Sequence, residues 1–533
     1  MPDASTSGFV PTRAQRASQA HGLSLVPRLG SARSVGVGVL IIAISALYAV
    51  VATAGKFETL RWRTQHYDRA AEGFLQGHLY VPVRPSKKLL AKDDPYDYKY
   101  EPLWLWDASL YKGNYYIYWG PVPALGLMVY KLLSGDPAVI YDQWLVLIFM
   151  LGRLLGGAAL ILSVAPRLGR PVPSWAVLLA IAVFAVASPA LYFLARPVVY
   201  EASIAAGQCF LTWGLVVAFW GLVRRRWQLG LFAIASTCWG LALASRGSLI
   251  LVAPLLICIT AVCAWRQPRC GLRQAVYAAL ALGVPSLLSV VAHAIYNYQR
   301  FDSVWEFGLK YQLTGRQFMG DNDFVLPNLV AYLTANLRWS CHFPYVDIPM
   351  FQHLSPWIEW PSEYDLGDYG NGERAAGLLV ASVFTWLVAL WWVRLARCVV
   401  PGRAPLSVSR DRFVHLEQWL FFCACASCVT MLPALRMYMA NMRYQFDFAT
   451  GWLLLAMLAG FWLLASTAAP SGANVWRRGA HWLAVALYIG LSLHTLLVGV
   501  GLGFRGQANN FRSENPTLFR TLDRELSVCR KRQ

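Results

Sequence analysis

The sequence YDRAAEGFLQGHLY (residues 67–80), followed by DASLYKGNYYIYWGPVP (residues 107–123), lies between long apolar segments. It is rich in tyrosine and carries acidic residues, whereas the segments on either side carry few charges. Loops that are held by a rigid scaffold often contain binding and catalytic residues. We therefore expect the reactive groups of this chain to lie on a loop at a membrane surface.

Composition indicates a membrane protein. Of the 533 residues, 57% are hydrophobic and 14% are charged, whereas soluble proteins usually carry about 25% charged residues. Apolar runs of about 20 residues, which is long enough to cross a bilayer, recur along the whole chain. The sequence therefore predicts an all-α polytopic membrane protein.

The net charge of +19 reflects topology rather than nucleic-acid binding. The arginines fall in short loops beside apolar segments, as at Arg167, Arg170 and residues 224–226. An excess of basic residues of this kind marks cytoplasmic loops. We therefore expect no nucleic acid among the partners.

Charge and apolar length together predict about eleven transmembrane helices, with the amino terminus in the cytoplasm and the carboxyl terminus outside. Residues 1–34 are predicted to be a disordered basic tail, and residues 35–502 the transmembrane domain. The domain includes two large outer loops, 55–139 and 296–374, and residues 503–533 form an outer tail. The predicted spans are 35–54, 140–165, 174–194, 199–223, 228–244, 248–265, 274–295, 375–397, 414–434, 446–466 and 481–502.

Several local features of the outer segments can also be predicted. Residues 121–133 are apolar but too short for a span, which favours a segment at the membrane interface. Gly113-Asn114, inside a tyrosine-rich run, is a β-hairpin signal. Cys341 and Cys529 both fall outside, where they could form a disulfide bond.

Four arginines do not follow the preference of basic residues for cytoplasmic loops. Arg196, Arg246, Arg436 and Arg443 fall at the predicted outer ends of spans, in short loops. A charge near the hydrocarbon boundary is costly, so each could extend to lipid headgroups or form a structural ion pair. Four guanidinium groups at one face also suit a phosphate. We predict a lipid-phosphate pocket at the outer face.

Two acids of the first loop are candidate catalytic groups. Asp68 and Glu72 are four residues apart and would share one face of a helix that stops near Gly77. Asp68 would stand at the helix start beside Tyr67, where it could equally serve as a cap. Asp107 opens the tyrosine-rich run, where it could equally be a turn residue.

Aromatic and acidic residues at the outer face have two interpretations each. The rings after Asp107, including Tyr116, could hold a sugar or could anchor the protein in the membrane interface. Glu201 lies at the outer end of a span and needs a partner there, and Arg196 is the nearest in sequence. Asp447, four residues after Arg443, raises the same choice between a structural and a functional pair.

Three motifs of the first loop are shared with a known superfamily. They are Tyr-x-x-x-Ala-x-x-x-Leu-x-Gly-x-Leu-Tyr-x-Pro (67–82), Gly-Asn-Tyr-Tyr (113–116) and Gly-Pro-Val-Pro (120–123). In these motifs the chain resembles the GT-C membrane glycosyltransferases, which include bacterial aminoarabinose-to-lipid-A transferases and protein O-mannosyltransferases. The resemblance implies a GT-C-like bundle in the bacterial inner membrane, with both large outer loops and the carboxyl-terminal tail in the periplasm.

The resemblance also implies a polyprenyl-phosphate-linked sugar donor, a lipid or glycan acceptor and an inverting reaction with a catalytic acidic residue in the first loop. The chain departs from its relatives at one point, because Arg63 and Thr64 stand where they carry an Asp-Glu pair. The general base would then be one of the two acids of the first loop, with Asp68 as the first candidate and Asp107 as the second. The expected substrate-binding residues are Tyr67, Tyr116, Arg196, Glu201, Arg246, Arg436 and Arg443.

Two other functions remain open on the sequence alone. A non-catalytic lipid-binding subunit of an envelope complex is favoured by the missing Asp-Glu pair. A secondary transporter would place charged or broken helices near the middle of the bilayer, and no matched pair of interrupted spans can be read. A divalent metal would be compatible with sugar transfer, but no ligand set is evident.

Overall fold

The computed structural model describes residues 31–61, 63–168, 172–267, 270–314, 322–349, 358–361, 364, 374–399, 412–469, 472 and 474–529. The predicted basic tail lies outside this part of the chain as far as residue 30. Helices dominate the rest, and the two small sheets have two strands each within the described residues. The predicted all-α polytopic architecture is confirmed.

The α-helices and strands follow one another in the described ranges with short 3-10 turns between them. The helices of the amino-terminal half are α1 Ser31–Ala52, α2 His66–Leu75, α3 Lys87–Leu90, α4 Val122–Ser134, α5 Asp142–Val164, α6 Ser174–Val186, α7 Ala190–Leu194, α8 Val199–Val223, α9 Gln228–Ser245 and α10 Val252–Trp265. Those that follow are α11 Leu272–Phe301, α12 Val325–Thr334, α13 Leu378–Ala381, α14 Leu390–Val399, α15 Arg412–Cys428, α16 Met431–Leu435, α17 Met442–Thr467, α18 Val475–Arg505, α19 Asn510–Glu514 and α20 Pro516–Leu526. The strands are β1 Ser109–Tyr111, β2 Asn114–Tyr116, β3 Arg338–Trp339 and β4 Val346–Asp347.

Nine helical segments of the described chain are long and apolar enough to cross a membrane. They are built on α1, α5, α8, α9, α10, α11, α15, α17 and α18, and each coincides with a predicted span. The two remaining predicted spans, 174–194 and 375–397, are divided into shorter helices. Their apolar composition is as predicted, but their helical continuity is not.

These two divided spans meet at their breaks. Between α6 and α7, Pro189 has no N–H to donate to a helical carbonyl. After α13, the Ser382 hydroxyl donates to the Ser188 carbonyl oxygen at 3.2 Å, and the Phe384 N–H donates to Thr495 Oγ1 at 3.0 Å. A side chain of α18 thus accepts the hydrogen bond of the Phe384 N–H, and each of these two predicted spans is interrupted.

The ends of several helices are joined by contacts between residues that are distant in the sequence. Arg505, at the end of α18, donates to Asp347 of β4 at 2.5 Å. The Asn515 side chain donates to the Ala54 carbonyl after α1 at 2.8 Å. Cys341 and Cys529 form the disulfide bond that their predicted positions allowed, with their Cα atoms 5.4 Å apart. The carboxyl-terminal segment is therefore attached to the end of the first span and to the second loop.

The first loop contains a hairpin whose turn requires positive φ angles. Ser109 pairs with Tyr116 and Tyr111 with Asn114, so the two-residue turn is Lys112-Gly113, one position earlier than the predicted Gly113-Asn114. The φ angles of these residues are 47° and 75°, as a type I′ turn demands. Glycine adopts the second of these without steric cost.

The start of α2 is capped by a residue from another helix. Asp142, the first residue of α5, accepts hydrogen bonds from the His66 N–H at 3.1 Å and the Tyr67 N–H at 3.2 Å. The Thr64 hydroxyl also donates to it, at 2.5 Å. Asp142 thus fills the capping role that the sequence offered to Asp68, and it fixes α2 against α5.

Candidate functional site

Asp107 lies in a turn that precedes β1 and has an unusual backbone. Its φ angle is 58°, in the left-handed region, which Asp tolerates better than most residues. Its Oδ1 atom accepts hydrogen bonds from the Tyr200 hydroxyl at 3.0 Å and from the Thr314 hydroxyl at 2.7 Å. The first loop, the second loop and the start of α8 therefore meet at this carboxylate.

A directed chain of hydrogen bonds ends on Asp107. The Gln312 amide donates to the Tyr118 hydroxyl at 2.8 Å, and Tyr118 in turn donates to the Tyr200 hydroxyl. Burial raises the pKa of Tyr118 well above its usual value, and the nearby Tyr200 and Asp107 side chains raise it further. Tyr118 therefore keeps its proton, and the chain donates toward a carboxylate that only accepts.

Arg443 packs against one ring of this hydrogen-bonded chain. Its guanidinium carbon lies 4.4 Å from the centroid of the Tyr200 ring and 5.6 Å from that of Tyr444. The Arg246 guanidinium lies 5.5 Å from the same Tyr444 ring. Two of the four predicted phosphate ligands are therefore grouped beside Asp107, on the rings of Tyr200 and Tyr444.

Arg246 also pairs with an acid on α17. Asp447 Oδ2 accepts from Nε and from one terminal nitrogen of Arg246, at 3.2 and 2.9 Å, and from the Ser248 hydroxyl at 3.2 Å. Asp447 is buried, and 201 residues separate it from Arg246. Sequence order had suggested Arg443 as its neighbour. This ion pair joins the end of α9 to the start of α17.

The other predicted ligands have different surroundings. Arg196 donates to the Gln507 side chain at 2.8 Å, and Arg436 is exposed at the end of α16. Tyr67 and Glu201 are buried on the first turns of α2 and α8.

Tyr116, on β2, packs edge-on against Phe301 and Tyr80, with ring centroids 5.4 and 6.4 Å away. Of these residues, Arg196 and Tyr116 contact partners other than Asp107.

Asp68 is engaged in a buried ion pair. Its Oδ1 atom lies 2.8 Å from Lys131 Nζ and accepts from the Ile140 N–H at 3.1 Å. The side chains of Asp68 and Lys131 are 1% and 5% exposed. Glu72 lies 3.5 Å from the same Lys131, so the predicted common face of Asp68 and Glu72 exists. It packs α2 against α4.

Several charged or polar residues that shape this region were not predicted from the sequence. Lys131 is the one charge in the run 121–133, and Arg153 lies midway along the span α5. Arg153 is fully buried between the rings of Phe184 and Phe446, 4.2 and 4.8 Å from their centroids. A single charge inside an apolar run was the available signal. Tyr200 and Gln312 carried no comparable signal.

The described residues contain no group of three or more His, Cys, Asp or Glu side chains that could hold a metal ion. The polar atoms around Asp107 are instead hydroxyls, an amide and guanidinium groups. Such a set can orient a carboxylate and attract an anion. The arrangement therefore suits proton transfer to Asp107 next to a bound phosphate.

Comparison with solved structures adds a distant likeness. No family model matches the chain, and no curated protein matches it. The chain is similar to the oligosaccharyltransferase of Archaeoglobus fulgidus in its apo form, with 13% identity, a TM-score of 0.46 and 88% of this chain covered. The oligosaccharyltransferase AglB from Archaeoglobus fulgidus, in complex with an inhibitory peptide and a dolichol-phosphate, gives 11% identity, a TM-score of 0.44 and 93% coverage of this chain.

ArnT from Cupriavidus metallidurans, bound to undecaprenyl phosphate, gives 13% identity, a TM-score of 0.40 and 90% coverage of this chain. These neighbours are GT-C membrane glycosyltransferases. The GT-C superfamily is also the one that the first-loop motifs resemble. The chain spans 56–60% of the length of the two archaeal chains and 77% of the ArnT chain. With TM-scores of 0.40–0.46, the likeness carries no argument about substrates or site residues.

Proposed function

We propose that this protein is a membrane glycosyltransferase that moves a sugar from a polyprenyl-phosphate donor to an envelope acceptor at the outer face of the bacterial inner membrane. The observation that carries the proposal is the placement of a carboxylate and a guanidinium around one side chain. Asp107 accepts from the Tyr200 hydroxyl at 3.0 Å, and Arg443 lies 4.4 Å from the Tyr200 ring centroid. Sugar transfer from a lipid phosphate needs these two groups next to each other.

Asp107 is the proposed general base. Its carboxylate is partly exposed, whereas the Asp68 carboxylate is almost fully buried against Lys131. A base must reach the proton that it removes, and of these two carboxylates that of Asp107 has the greater solvent access. Asp107 would take the proton from the acceptor hydroxyl as the hydroxyl oxygen attacks the anomeric carbon.

Arg443, with Arg246 beside it, is the proposed ligand of the leaving phosphate. As the bond between the anomeric carbon and the phosphate oxygen breaks, negative charge grows on the lipid phosphate. Guanidinium groups fixed beforehand stabilise such charge, and the sugar passes through an oxocarbenium-like transition state. A single displacement inverts the anomeric centre. Because phosphate leaves readily, one carboxylate suffices.

The periplasmic orientation is part of the proposal and has two supports. The arginine-rich loops, including residues 224–226, connect the helix ends opposite to those that carry Arg246 and Arg443. Cys341 of the second loop and Cys529 of the carboxyl-terminal segment form a disulfide bond. Disulfide bonds persist in oxidising compartments such as the periplasm.

The function is tested by transfer in proteoliposomes that contain a panel of synthetic polyprenyl-phosphate sugars and an envelope extract as acceptor. We expect Asp107→Asn to lower the rate by about 100-fold or more. Asparagine also tolerates positive φ, so the turn is kept. Asp93→Asn changes an exposed acid of the same loop and should leave the rate unchanged. Full activity of Asp107→Asn would refute the assignment of the base. Donor binding without turnover in the parent protein would indicate a lipid-binding subunit.

Secondary transport is the second candidate, and the divided spans favour it. Transporters commonly bind substrate at broken helices, and here two such breaks meet where Ser382 donates to the Ser188 carbonyl. Uptake of labelled sugars or ions by the same proteoliposomes, without formation of a new glycosidic bond, would select this function. Transfer without uptake would exclude it.

A further inference from the structure

His66 contacts the residue that precedes the proposed base. It is the first residue of α2 and is 7% exposed. Its Nε2 atom lies 2.8 Å from the carbonyl oxygen of Trp106. Because a carbonyl oxygen can only accept, Nε2 must carry the proton in this contact. The other ring nitrogen, Nδ1, is buried without a hydrogen-bond partner among the described residues. The bond to Trp106 is therefore the polar contact that orients the ring.

The backbone conformation of Asp107 needs support from its surroundings. Asp107 has a φ angle of 58°, a conformation that costs energy for a residue with a Cβ and persists when its surroundings enforce it. After it, the Ala108 N–H donates to the Leu105 carbonyl at 3.1 Å, and the Ala108 carbonyl accepts from the Leu313 N–H at 3.1 Å. The Trp106 carbonyl belongs to the peptide that joins Trp106 to Asp107, so His66 fixes the plane of that peptide.

His66 is itself fixed from two sides. Its backbone N–H donates to Asp142 at 3.1 Å, which anchors it to the start of α5. Its ring stands edge-on to Trp119, with centroids 5.6 Å apart, and Trp119 stands edge-on to Tyr200 at 5.1 Å. The imidazole therefore has a defined position relative to both Asp107 and Tyr200.

We propose that His66 is a positioning residue that sets the left-handed turn at Asp107 and thereby directs the Asp107 carboxylate to the Tyr200 and Thr314 hydroxyls. The importance of this turn for catalysis rests on the proposed function of Asp107. The structural part of the proposal does not, because it concerns the orientation of a carboxylate in the free protein.

Two amide variants separate the role of the Nε2 atom from the rest of the ring. A Gln side-chain nitrogen at position 66 can reach the place of Nε2, whereas an Asn nitrogen reaches only that of Nδ1. His66→Gln should keep the bond to the Trp106 carbonyl, and His66→Asn should lose it. Both variants remove the ring, so they are matched in the contact to Trp119. His78→Phe changes an exposed histidine of the same loop and serves as the control.

The measurement is the rate at which a water-soluble carbodiimide labels Asp107, read by peptide mass spectrometry on the full-length protein in detergent. Loss of one hydrogen bond in His66→Asn should release the carboxylate and raise the rate about three- to tenfold. His66→Gln and His78→Phe should stay within about twofold of the parent rate, since neither loses that bond. Equal labelling of Asp107 in His66→Asn and His66→Gln would overturn the proposal.

Transfer kinetics of the same variants test the catalytic consequence. In the proteoliposome assay with the synthetic polyprenyl-phosphate sugars, His66→Asn should lower kcat about three- to tenfold and leave the KM for the donor unchanged. His66→Gln should restore kcat. A lower kcat accompanied by a higher KM, or no rescue by Gln, would indicate a general structural role and contradict the proposal. If Asp107→Asn is fully active, the assignment of Asp107 as the base fails, while the labelling result still decides the role of His66.

Discussion

The hydroxyl of Tyr200 donates a hydrogen bond to Asp107 Oδ1 over 3.0 Å, across 93 residues of sequence. The same Tyr200 ring lies 4.4 Å from the guanidinium carbon of Arg443. One side chain at the start of α8 therefore links the carboxylate of the first loop to a cation on α17. The proposed base and the proposed phosphate ligand are held at a fixed separation by this residue.

Tyr200→Phe separates these two links. The variant keeps the ring beneath Arg443 but removes the donor to Asp107, and a hydrogen bond to a charged group contributes about 1.5–3 kcal/mol. We expect kcat for sugar transfer to fall roughly tenfold or more while the KM for the lipid donor stays the same. Tyr298→Phe removes the hydroxyl of an exposed tyrosine and should leave both constants at the parent values. A higher KM with an unchanged kcat would mean that Tyr200 serves binding alone.

Gly120→Ala tests the close approach between the first loop and α9. A Cβ at this position would lie 1.9 Å from the Ala244 carbonyl oxygen, two residues before Arg246. The loop and α9 would have to separate, which should cost about 1–3 kcal/mol of stability and displace Arg246. We expect a lower thermal unfolding temperature in detergent and slower transfer.

Gly126→Ala is the matched control for this change. Gly126 lies on α4 with no atom within 4 Å of an added Cβ, and alanine is the better helix former. This variant should be as stable as the parent or slightly more stable. If Gly120→Ala and Gly126→Ala behave alike, the contact at Ala244 does not constrain the loop.

Lys131→Met should destabilise the packing of α2 on α4. It leaves the buried Asp68 carboxylate without its partner at 2.8 Å, and removal of one member of a buried pair costs about 3–5 kcal/mol. The double variant Lys131→Met with Asp68→Leu should recover most of this loss, because no buried charge remains. The measurement is thermal unfolding of the single and double variants in detergent.

The same variants decide between the two candidate bases. If Asp68 has only a structural role, the double variant should retain sugar transfer at close to the parent rate. A stable double variant without any transfer would restore Asp68 as the general base. Lys99→Met breaks the exposed pair of Lys99 with Asp97 and should change neither stability nor transfer.

Replacement of Arg153 by lysine should destabilise the protein more than replacement by methionine. Its guanidinium donates to the Phe184 carbonyl at 3.2 Å and to the Thr450 hydroxyl at 3.1 Å. Arg153→Lys keeps a buried charge but loses the planar fork that fits between two rings, so we expect about 3–5 kcal/mol of destabilisation. Arg153→Met removes the charge and should cost less.

Thermal unfolding of both Arg153 variants in detergent shows which of the two is the less stable. Arg226, which is exposed in a short loop after α8, provides the control, since Arg226→Lys and Arg226→Met should both match the parent. A lysine variant of Arg153 that is as stable as the parent would show that the position needs only a positive charge. Arg153 would then have to be considered for anion binding.

The architecture could be predicted from the amino-acid sequence alone, because a bilayer allows an apolar chain few backbone conformations. In lipid, the backbone N–H and C=O groups of an apolar run of about 20 residues form all their hydrogen bonds within the run when it is helical. Local chemistry was equally readable where it depends on neighbours in the chain. The hairpin near Gly113 and the common face of Asp68 and Glu72 are examples.

The folded structure was needed to show which polar groups contact one another. Asp447 pairs with Arg246, and Asp107 meets Tyr200 and Thr314, over separations of 93 to 207 residues. No periodicity or spacing encodes such contacts, because they depend on how helices pack against one another. For the same reason the sequence could not show that the Asp68 carboxylate forms a buried ion pair with Lys131, whereas the Asp107 carboxylate is partly exposed. The choice between two acids thus came from burial and partners, which are properties of the folded chain.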